Sequence, residues 1–288
     1  MSSFRPPLML FALVLLFTGT AKAQIAPACA DIPKPSNYSE DDQQAFLANY
    51  FASSFLLYPS TALMPAGDGK AGIALETGLV PPLPCERRFV LDHTKTEETN
   101  QLPVMPRPRL WATTPALSLP EGFGKIGFLL GGSLVPPVPM PMGTLSSVAV
   151  EFGAAYRSPF GLDAGLRAYM GWARARAEIA TPFVEDAPAV DDLFFAQTMG
   201  IDLAAAWGFD VNDFVTLRPY ASAGIADVTT LFLIGDDELV MDNPKPWWGF
   251  VGSAGLQAVL WRHWELAVEM DVVVPVVMTG RARIGFLF

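Results

Sequence analysis

The chain has few charged residues and few of the residues that build metal, redox or catalytic sites. Only 17% of its 288 residues are charged, and it contains two cysteines and two histidines. His93 and His263 lie in no metal-ligand spacing, and there is no Gly-x-Ser-x-Gly segment. We therefore expect no enzyme activity, no cofactor and no metal site. The net charge of −10 argues against nucleic acid as a partner, because binding to phosphates needs basic residues.

Long apolar runs are also missing after residue 23. No later segment reaches the roughly 18 apolar residues that a transmembrane helix needs. The mean hydropathy is nevertheless +0.32, which is apolar for a soluble protein. Only helices and closed barrels satisfy their backbone groups in lipid. Such a chain therefore points to a β-barrel, provided that its apolar residues alternate along strands.

Residues 1–23 have the three parts of a secretory signal peptide. Arg5 supplies positive charge, residues 8–17 form a continuous apolar run, and Ala21-Lys22-Ala23 is a small-x-small cleavage site. We expect Gln24 to begin the mature protein. A retained membrane anchor is the alternative, although the apolar run is short for a spanning helix.

The apolar residues of the later chain do alternate. In residues 145–156, Val148, Val150 and Phe152 share one face, while Glu151 lies on the other. This period of two is typical of strands that cross a membrane as part of a barrel, and it defines eight candidate strands. They cover residues 123–134, 145–156, 162–176, 193–209, 214–231, 247–261, 265–274 and 281–288.

Two weaker candidates precede these eight strands. Residues 70–80 alternate, with Glu76 facing inward, whereas residues 106–119 carry Pro108 and Pro115, which are typical of an edge or irregular strand. The sequence therefore predicts an all-β, antiparallel, up-and-down transmembrane β-barrel over residues 70–288. Ten strands are favoured and eight are the alternative, since such barrels usually have even strand numbers.

The connections differ in length. Tight turns at residues 157–161, 210–213 and 262–264 alternate with longer acidic loops at residues 177–192 and 235–246. Short turns on one side and long loops on the other are typical of membrane barrels, with the turns facing the periplasm. Aromatic residues cluster near the strand ends, which predicts two girdles at the membrane interfaces.

The last strand carries a further pattern. Ala282, Ile284, Phe286 and Phe288 fall on one side of it, and the chain ends on Phe288. This pattern resembles the C-terminal signal of bacterial outer-membrane β-barrels. With the signal peptide and the alternating strands, the chain resembles a Gram-negative outer-membrane β-barrel protein of the small OmpA/OmpX-like type. The resemblance implies an outer-membrane location. It also implies outer-membrane lipids and the barrel-assembly machinery as partners, with Phe288, Phe286 and Ile284 as the residues that the machinery reads.

Residues 24–69 differ from the barrel. Ser39 followed by three acidic residues predicts the start of a helix over about residues 40–55. This helix can plug the lumen, lie at the periplasmic mouth, or belong to a loosely held N-terminal arm.

Charged residues on the inward faces are expected to form salt bridges that fill the lumen, because buried charges must be paired or hydrated. A narrow or gated channel is the functional alternative. The candidate set, beside Glu76, is Lys125, Glu151, Asp163, Arg167, Asp202, Arg218, Glu269, Asp271, Arg281 and Arg283.

Cys29 and Cys85 suit an oxidising compartment and can form a disulfide. The ten-strand count places Cys85 in an outer loop, while Cys29 starts on the periplasmic side. A bond between them therefore requires either that the N-terminal segment threads the barrel or that the barrel has eight strands.

Three functions are consistent with these features. The first is a barrel with a structural or surface-interaction role, a lumen closed by salt bridges and acidic outer loops. The second is a passive pore or transporter for a small or hydrophobic solute, gated by the N-terminal segment. The third is a soluble periplasmic lipid-binding barrel, in which the apolar faces would point inward.

Overall fold

The computed structural model describes residues 36–37, 39–55, 70–79, 82–90, 93–94, 104–140, 143–177, 192–234, 239–242 and 245–288. The predicted signal peptide and Cys29 lie outside these residues. One helix, α1 (Glu40–Phe55), precedes the strands, as predicted. The backbone N–H of Asp42 donates to Ser39 Oγ over 3.1 Å, so Ser39 caps the helix. Within the described ranges, no helix has the length and hydropathy needed to cross a bilayer.

Ten long strands follow the helix. Their bounds are β1 Ala71–Leu79, β2 Val104–Thr113, β3 Lys125–Met140, β4 Gly143–Arg157, β5 Leu162–Ala177, β6 Asp192–Trp207, β7 Val215–Ile234, β8 Trp247–Leu260, β9 Trp264–Val273 and β10 Val277–Leu287.

Each strand pairs antiparallel with its neighbours in the chain, and β10 pairs with β1 to close the ring. Gly72 lies opposite Leu287, and Glu76 lies opposite Arg283. The predicted up-and-down barrel of ten strands is therefore confirmed, and eight strands is wrong. The pair β1–β2 is what completes the ring, because β1 joins β10 on one side and β2 joins β3 on the other.

The two ends of the barrel differ. One end holds the start of β1, the end of β10 and the turns at residues 158–161 and 261–263, and we call it the turn end. The strand ends that are joined by residues 80–103, 178–191 and 235–246 lie at the other, the loop end. The loop end also has two short connections, at residues 141–142 and 274–276. The predicted segregation of long loops to one end is therefore confirmed, with short connections present at both ends.

The barrel is apolar outside and charged inside. Leu130 and Leu203 point outward and are each 65% exposed, whereas Glu151 and Arg167 point inward and are each 3% exposed. This is the polarity of a transmembrane barrel. The hypothesis of a soluble lipid-binding barrel is wrong, because that fold would need the apolar faces to line the interior.

The proline-rich strand β2 lies within the wall of the barrel. It pairs with β1 along its whole length, but its pairing with β3 covers only residues 109–113. Pro106 and Pro108 lack the N–H that a ladder needs, and they lie where the pairing with β3 has ended. The strand is therefore paired on both sides, although incompletely, rather than being an edge.

Aromatic side chains ring the turn end. Phe160, Trp207, Phe209, Trp261 and Phe288 are exposed there, as an interfacial girdle requires. Trp247 also lies at a strand end, but it points into the lumen and is 8% exposed. Its neighbour Trp248 points outward and is 66% exposed. The reason is the pleat of the strand, which places adjacent residues on opposite faces.

Gly224 on β7 allows a close approach between two strands. A Cβ atom there would lie 2.2 Å from the carbonyl oxygen of Ile201 and 2.7 Å from the Cα atom of Asp202 on β6. Since both are backbone atoms, Gly224→Ala must push the strands apart. We expect it to lower the free energy of unfolding by about 1–3 kcal/mol in urea titrations of the refolded barrel.

Gly252→Ala on β8 is the matched control. Its Cβ atom would lie 3.5 Å from the nearest heavy atom, an ordinary contact, so we expect an unchanged unfolding midpoint. Equal midpoints for the two variants would show that the close approach at Gly224 does not constrain the wall.

Candidate functional site in the barrel lumen

Arg109 is the centre of the charged part of the lumen. Its Nη1 lies 2.7 Å from Glu76 Oε1, and its Nε lies 2.8 Å from Glu151 Oε1. Arg107 Nη2 reaches the second oxygen of Glu76 at 2.8 Å. Arg167 Nη1 lies 3.6 Å from Glu151 Oε2 and also pairs with Asp202. One continuous chain of ion pairs therefore crosses the lumen through β2, β1, β4, β5 and β6.

A second branch comes from the last two strands. Arg283 pairs with Glu265 and lies 3.8 Å from Glu76, so it joins this branch to the first. Gln257 Nε2 donates to Glu265 Oε1 over 2.6 Å. Arg281 Nη2 lies 2.6 Å from Asp271 Oδ2, and its Nη1 lies 3.5 Å from Glu269 Oε1.

A third group lies toward the turn end. Asp163 accepts from Arg218 and from Arg157, whose Nε lies 2.7 Å from Asp163 Oδ1. We call the three groups together the lumen network. It contains seven arginines and seven carboxylates, so its formal charge is balanced. Its members are Glu76, Arg107, Arg109, Glu151, Arg157, Asp163, Arg167, Asp202, Arg218, Glu265, Glu269, Asp271, Arg281 and Arg283.

Of the eleven residues proposed from sequence for the lumen, Glu76 and nine of the ten listed with it lie in this network. Lys125 does not: it is exposed, because it is the first residue of β3 and its side chain leaves the barrel at the turn end. Four members of the network were not predicted from the sequence. Arg107 and Arg109 were not, because the prolines between and beside them obscure the strand pattern, and Arg157 was not, because it was assigned to the turn at residues 157–161. Glu265, which shares the inward face with Glu269, was not predicted either.

Trp111 lies beside the network near the turn end. It is 5% exposed, and the guanidinium groups of Arg109 and Arg283 lie 5.9 and 5.7 Å from its ring centroid. The indole fills space that only glycine leaves open, because a Cβ atom at Gly72 would lie 2.3 Å from Trp111 Cζ2. An aromatic wall therefore packs against the charges in this part of the lumen.

The lumen changes character toward the loop end. There most of the inward side chains are apolar and often small, with Asp192 and Thr230 as buried polar exceptions, and we call this region the loop-end chamber. Its buried apolar strand residues are Leu145, Tyr169, Ala173, Ala175, Phe194, Ala196, Ala226, Val228, Trp247, Val251, Val273 and Val277. A barrel interior of this kind is usually polar, so an apolar chamber needs an apolar occupant.

Helix α1 is that occupant. Tyr50 and Ala52 are 3% and 0% exposed and belong to the same apolar cluster as the chamber. The rings of Phe51 and Phe194 are 6.4 Å apart. Of the three positions considered for this helix, the structure places α1 in the lumen, at the loop end.

Loop residues hold the outer end of α1. Gln43 Nε2 donates to the carbonyl oxygen of Arg87 over 2.6 Å, and the Arg87 guanidinium lies 4.1 Å from the Phe46 ring centroid. Asn49 Nδ2 donates to the carbonyl oxygen of Lys245 over 3.2 Å. The connections β1–β2 and β7–β8 therefore both contact the helix.

An exposed ion pair adds to this attachment. Lys245 Nζ donates to Asp42 Oδ1. This bond, together with one from Ser39 Oγ, lowers the pKa of Asp42, and the same bond to Asp42 raises the pKa of Lys245. Both shifts favour the charged forms, so the pair is charged at neutral pH.

Cys85 lies at the loop end, the same end as α1. Cys29 lies outside the described residues, and its pairing with Cys85 stays a prediction. At the C-terminus, Ile284 is 42% and Phe288 is 70% exposed, and the Phe286 ring lies 5.2 Å from that of Trp264. The outward side of the final strand is therefore an accessible apolar and aromatic surface.

No protein-family model and no curated protein matches the sequence. Three solved structures illustrate the structural likenesses. The transport unit of the autotransporter AIDA-I from Escherichia coli is 9% identical, with a TM-score of 0.43 over 86% of this chain and 98% of that one. Ail, the attachment invasion locus protein of Yersinia pestis, is 10% identical, with a TM-score of 0.31 over 78% of this chain and 100% of that one. The Pseudomonas putida toluene transporter TodX is 12% identical, with a TM-score of 0.33 over 81% of this chain and 71% of that one.

These three proteins are outer-membrane β-barrels. Their low identities and TM-scores below 0.5 carry no argument about what this chain does. The function proposed for it rests on its own residues.

Proposed function

We propose that the chain is an outer-membrane barrel of a Gram-negative bacterium, exported by a cleavable signal peptide and inserted by the barrel-assembly machinery. In this proposal its lumen is closed, and it acts in envelope structure or through surface interactions rather than by conducting solute or by catalysis. The proposal rests on the observation that two different parts of the protein fill the lumen, namely the lumen network and α1.

The lumen network supports closure from the middle of the barrel to the turn end. Its arginines and carboxylates contact one another across the lumen, and Arg109, Glu151, Asp163 and Arg283 are each at most 4% exposed. An ion that entered would have to separate paired charges that have little access to water, which is costly. Because its formal charges balance, the network also carries no net charge that would attract ions of one sign.

Helix α1 supports closure of the loop end. It fills the chamber and is attached to two loops, and its Asp42 and Lys245 face solvent at the mouth. The surface offered to the outside is therefore formed by the helix N-terminus and the loops. A closed lumen with the helix N-terminus and loops exposed at one end is what we expect of a barrel that acts through its outer surface.

Conductance in planar bilayers tests the proposal. The refolded mature protein should show faster gel migration without boiling, which reports the closed barrel, and should give no steady single-channel current at neutral pH. Steady channels in a protein that passes the gel assay would contradict closure. The proposed signal cleavage is tested separately on the full chain expressed in a Gram-negative cell, where an N-terminus at a position other than Gln24 would contradict it.

A second candidate function is transport of a small hydrophobic solute, gated by the N-terminal segment. The apolar lining of the loop-end chamber favours it, since Phe194, Val228 and Trp247 would suit an apolar molecule once α1 had left. This function predicts that unseating α1 opens a path through the barrel, whereas the first predicts that the lumen network still blocks it.

A further inference from the structure

The outward face of the ten barrel strands carries very few charges. Among the described strand residues, its charged side chains are Arg174 and Arg176 on β5 and Asp227 on β7. An arginine on the lipid face costs about 2–4 kcal/mol at the bilayer midplane and about 0–1 kcal/mol near an interface. Arg174 and Arg176 occupy two successive outward positions of one strand.

Both arginines lie at the loop end of β5 and are exposed. A tilted strand needs about 9–11 residues to cross the hydrocarbon core. Counted from Leu162 at the turn end, Arg174 is the first outward residue beyond that length. If the proposed membrane location holds, this length puts the two guanidinium groups at the level of lipid headgroups rather than acyl chains.

Their neighbours form a polar crest across three strands. Arg174 lies opposite Ser146 on β4 and Phe195 on β6, and its guanidinium is 5.7 Å from the Phe195 ring centroid. Arg176 lies opposite Thr144 on β4. Two residues deeper on β5, Trp172 Nε1 donates to Gln197 Oε1 over 3.3 Å. Guanidinium, hydroxyl and amide groups are therefore gathered at one spot of a mostly apolar surface.

An apolar strip continues the crest toward the turn end. Val148 and Val150 on β4 and Met199 and Ile201 on β6 are 39–48% exposed and share the outward face. A cationic crest above an apolar strip matches an amphiphile with an anionic headgroup and acyl chains. Arginine is suited to phosphate because its planar group donates two parallel hydrogen bonds.

We propose that Arg174 and Arg176 form a binding site for the phosphorylated headgroup of a lipid in the leaflet around the loop end. The site rests on the proposed membrane location. The hydroxyls of Ser146 and Thr144 supply further donors, and the acyl chains lie along the strip below. Because the chain is acidic overall, with a net charge of −10, retention of an anionic lipid would be a local property of this crest.

Native mass spectrometry of the refolded mature protein, titrated with phosphatidic acid or with phosphatidylcholine, tests the site. We expect Arg174→Gln/Arg176→Gln to weaken phosphatidic acid binding about tenfold or more and to leave the weaker phosphatidylcholine binding unchanged. The control is Lys125→Gln/Arg262→Gln, which removes two exposed cations at the turn end. This control should bind phosphatidic acid as the unaltered protein does.

Three results would overturn the proposal. These are wild-type affinity in the Arg174→Gln/Arg176→Gln protein, an equal loss in the control, and equal binding of the two lipids by the unaltered protein. Gel migration without boiling is recorded for every variant. A protein that lacks the shift and does not insert into vesicles would contradict the membrane proposal itself. A shifted, inserted barrel without lipid discrimination would contradict only the lipid site.

Discussion

Arg109→Met is expected to lower the free energy of unfolding of the barrel by about 3–5 kcal/mol. Methionine keeps much of the side-chain volume but removes the charge that pairs with both Glu76 and Glu151. Glu76 retains Arg107 at 2.8 Å and Arg283 at 3.8 Å, whereas Glu151 retains only its 3.6 Å contact with Arg167 among the ion pairs of the described residues. The loss should therefore come mainly from Glu151, which is left buried beside apolar groups.

Equilibrium unfolding in urea, followed by tryptophan fluorescence and by the unboiled gel shift, measures this loss. Lys125→Met is the matched control, since it removes an exposed cation at the rim and should leave the midpoint unchanged. Adding Glu151→Gln to Arg109→Met should recover part of the stability, because it removes the unpaired charge. A loss in Arg109→Met no larger than in the control would show that the lumen network does not hold the barrel together.

The strands were predictable because their signal is local. In β5, outward Leu166, Ala168 and Met170 alternate with inward Arg167 and Tyr169, and the structure keeps that alternation. The inward charges follow from the same period of two. The ion-pair partners do not follow from that period. The partners of Arg167 come from β4 and β6, and their positions along the barrel axis depend on the register of both strand pairings.

The strand β2 shows where local reading fails. Its prolines predict an irregular segment, yet β1 pairs with it throughout and β3 with part of it. Ring closure imposes this pairing, because without β2 the edges of β1 and β3 would be unpaired in lipid. Arg107 and Arg109 enter the lumen as a consequence, and no pattern within residues 106–119 alone indicates their partners.

The position of α1 depends on contacts distant in sequence, although one signal was available. Near the loop end both faces of several strands are apolar, as in Phe194-Phe195 and Trp247-Trp248. A barrel in which the alternation stops at one end must cover an apolar inner surface there. The only α-helix among the described residues has the apolar residues to do so, but its place in a cluster built from seven strands becomes visible only in three dimensions.

Ala52→Glu is expected to expel α1 from the loop-end chamber. Ala52 is 0% exposed within the apolar cluster, and burial of an unpaired carboxylate there costs more than the contacts of one short helix can offset. Chymotrypsin should then cut the folded barrel at Phe46, Tyr50 or Phe51, which are buried or half-buried in the unaltered protein.

Gln44→Glu is the control for that experiment, because it adds the same charge to the same helix at a half-buried position and should leave α1 protected. Protection of α1 in Ala52→Glu as well would contradict the seating of the helix by apolar contacts. Conductance then separates the two functions. If the lumen network closes the barrel, the Ala52→Glu protein stays silent in planar bilayers although its helix is cleaved. Steady current that appears with the cleavage would instead show that α1 is the gate. The substitution leaves every residue of the lumen network unchanged, so the loss of α1 from the chamber would be the cause of the current.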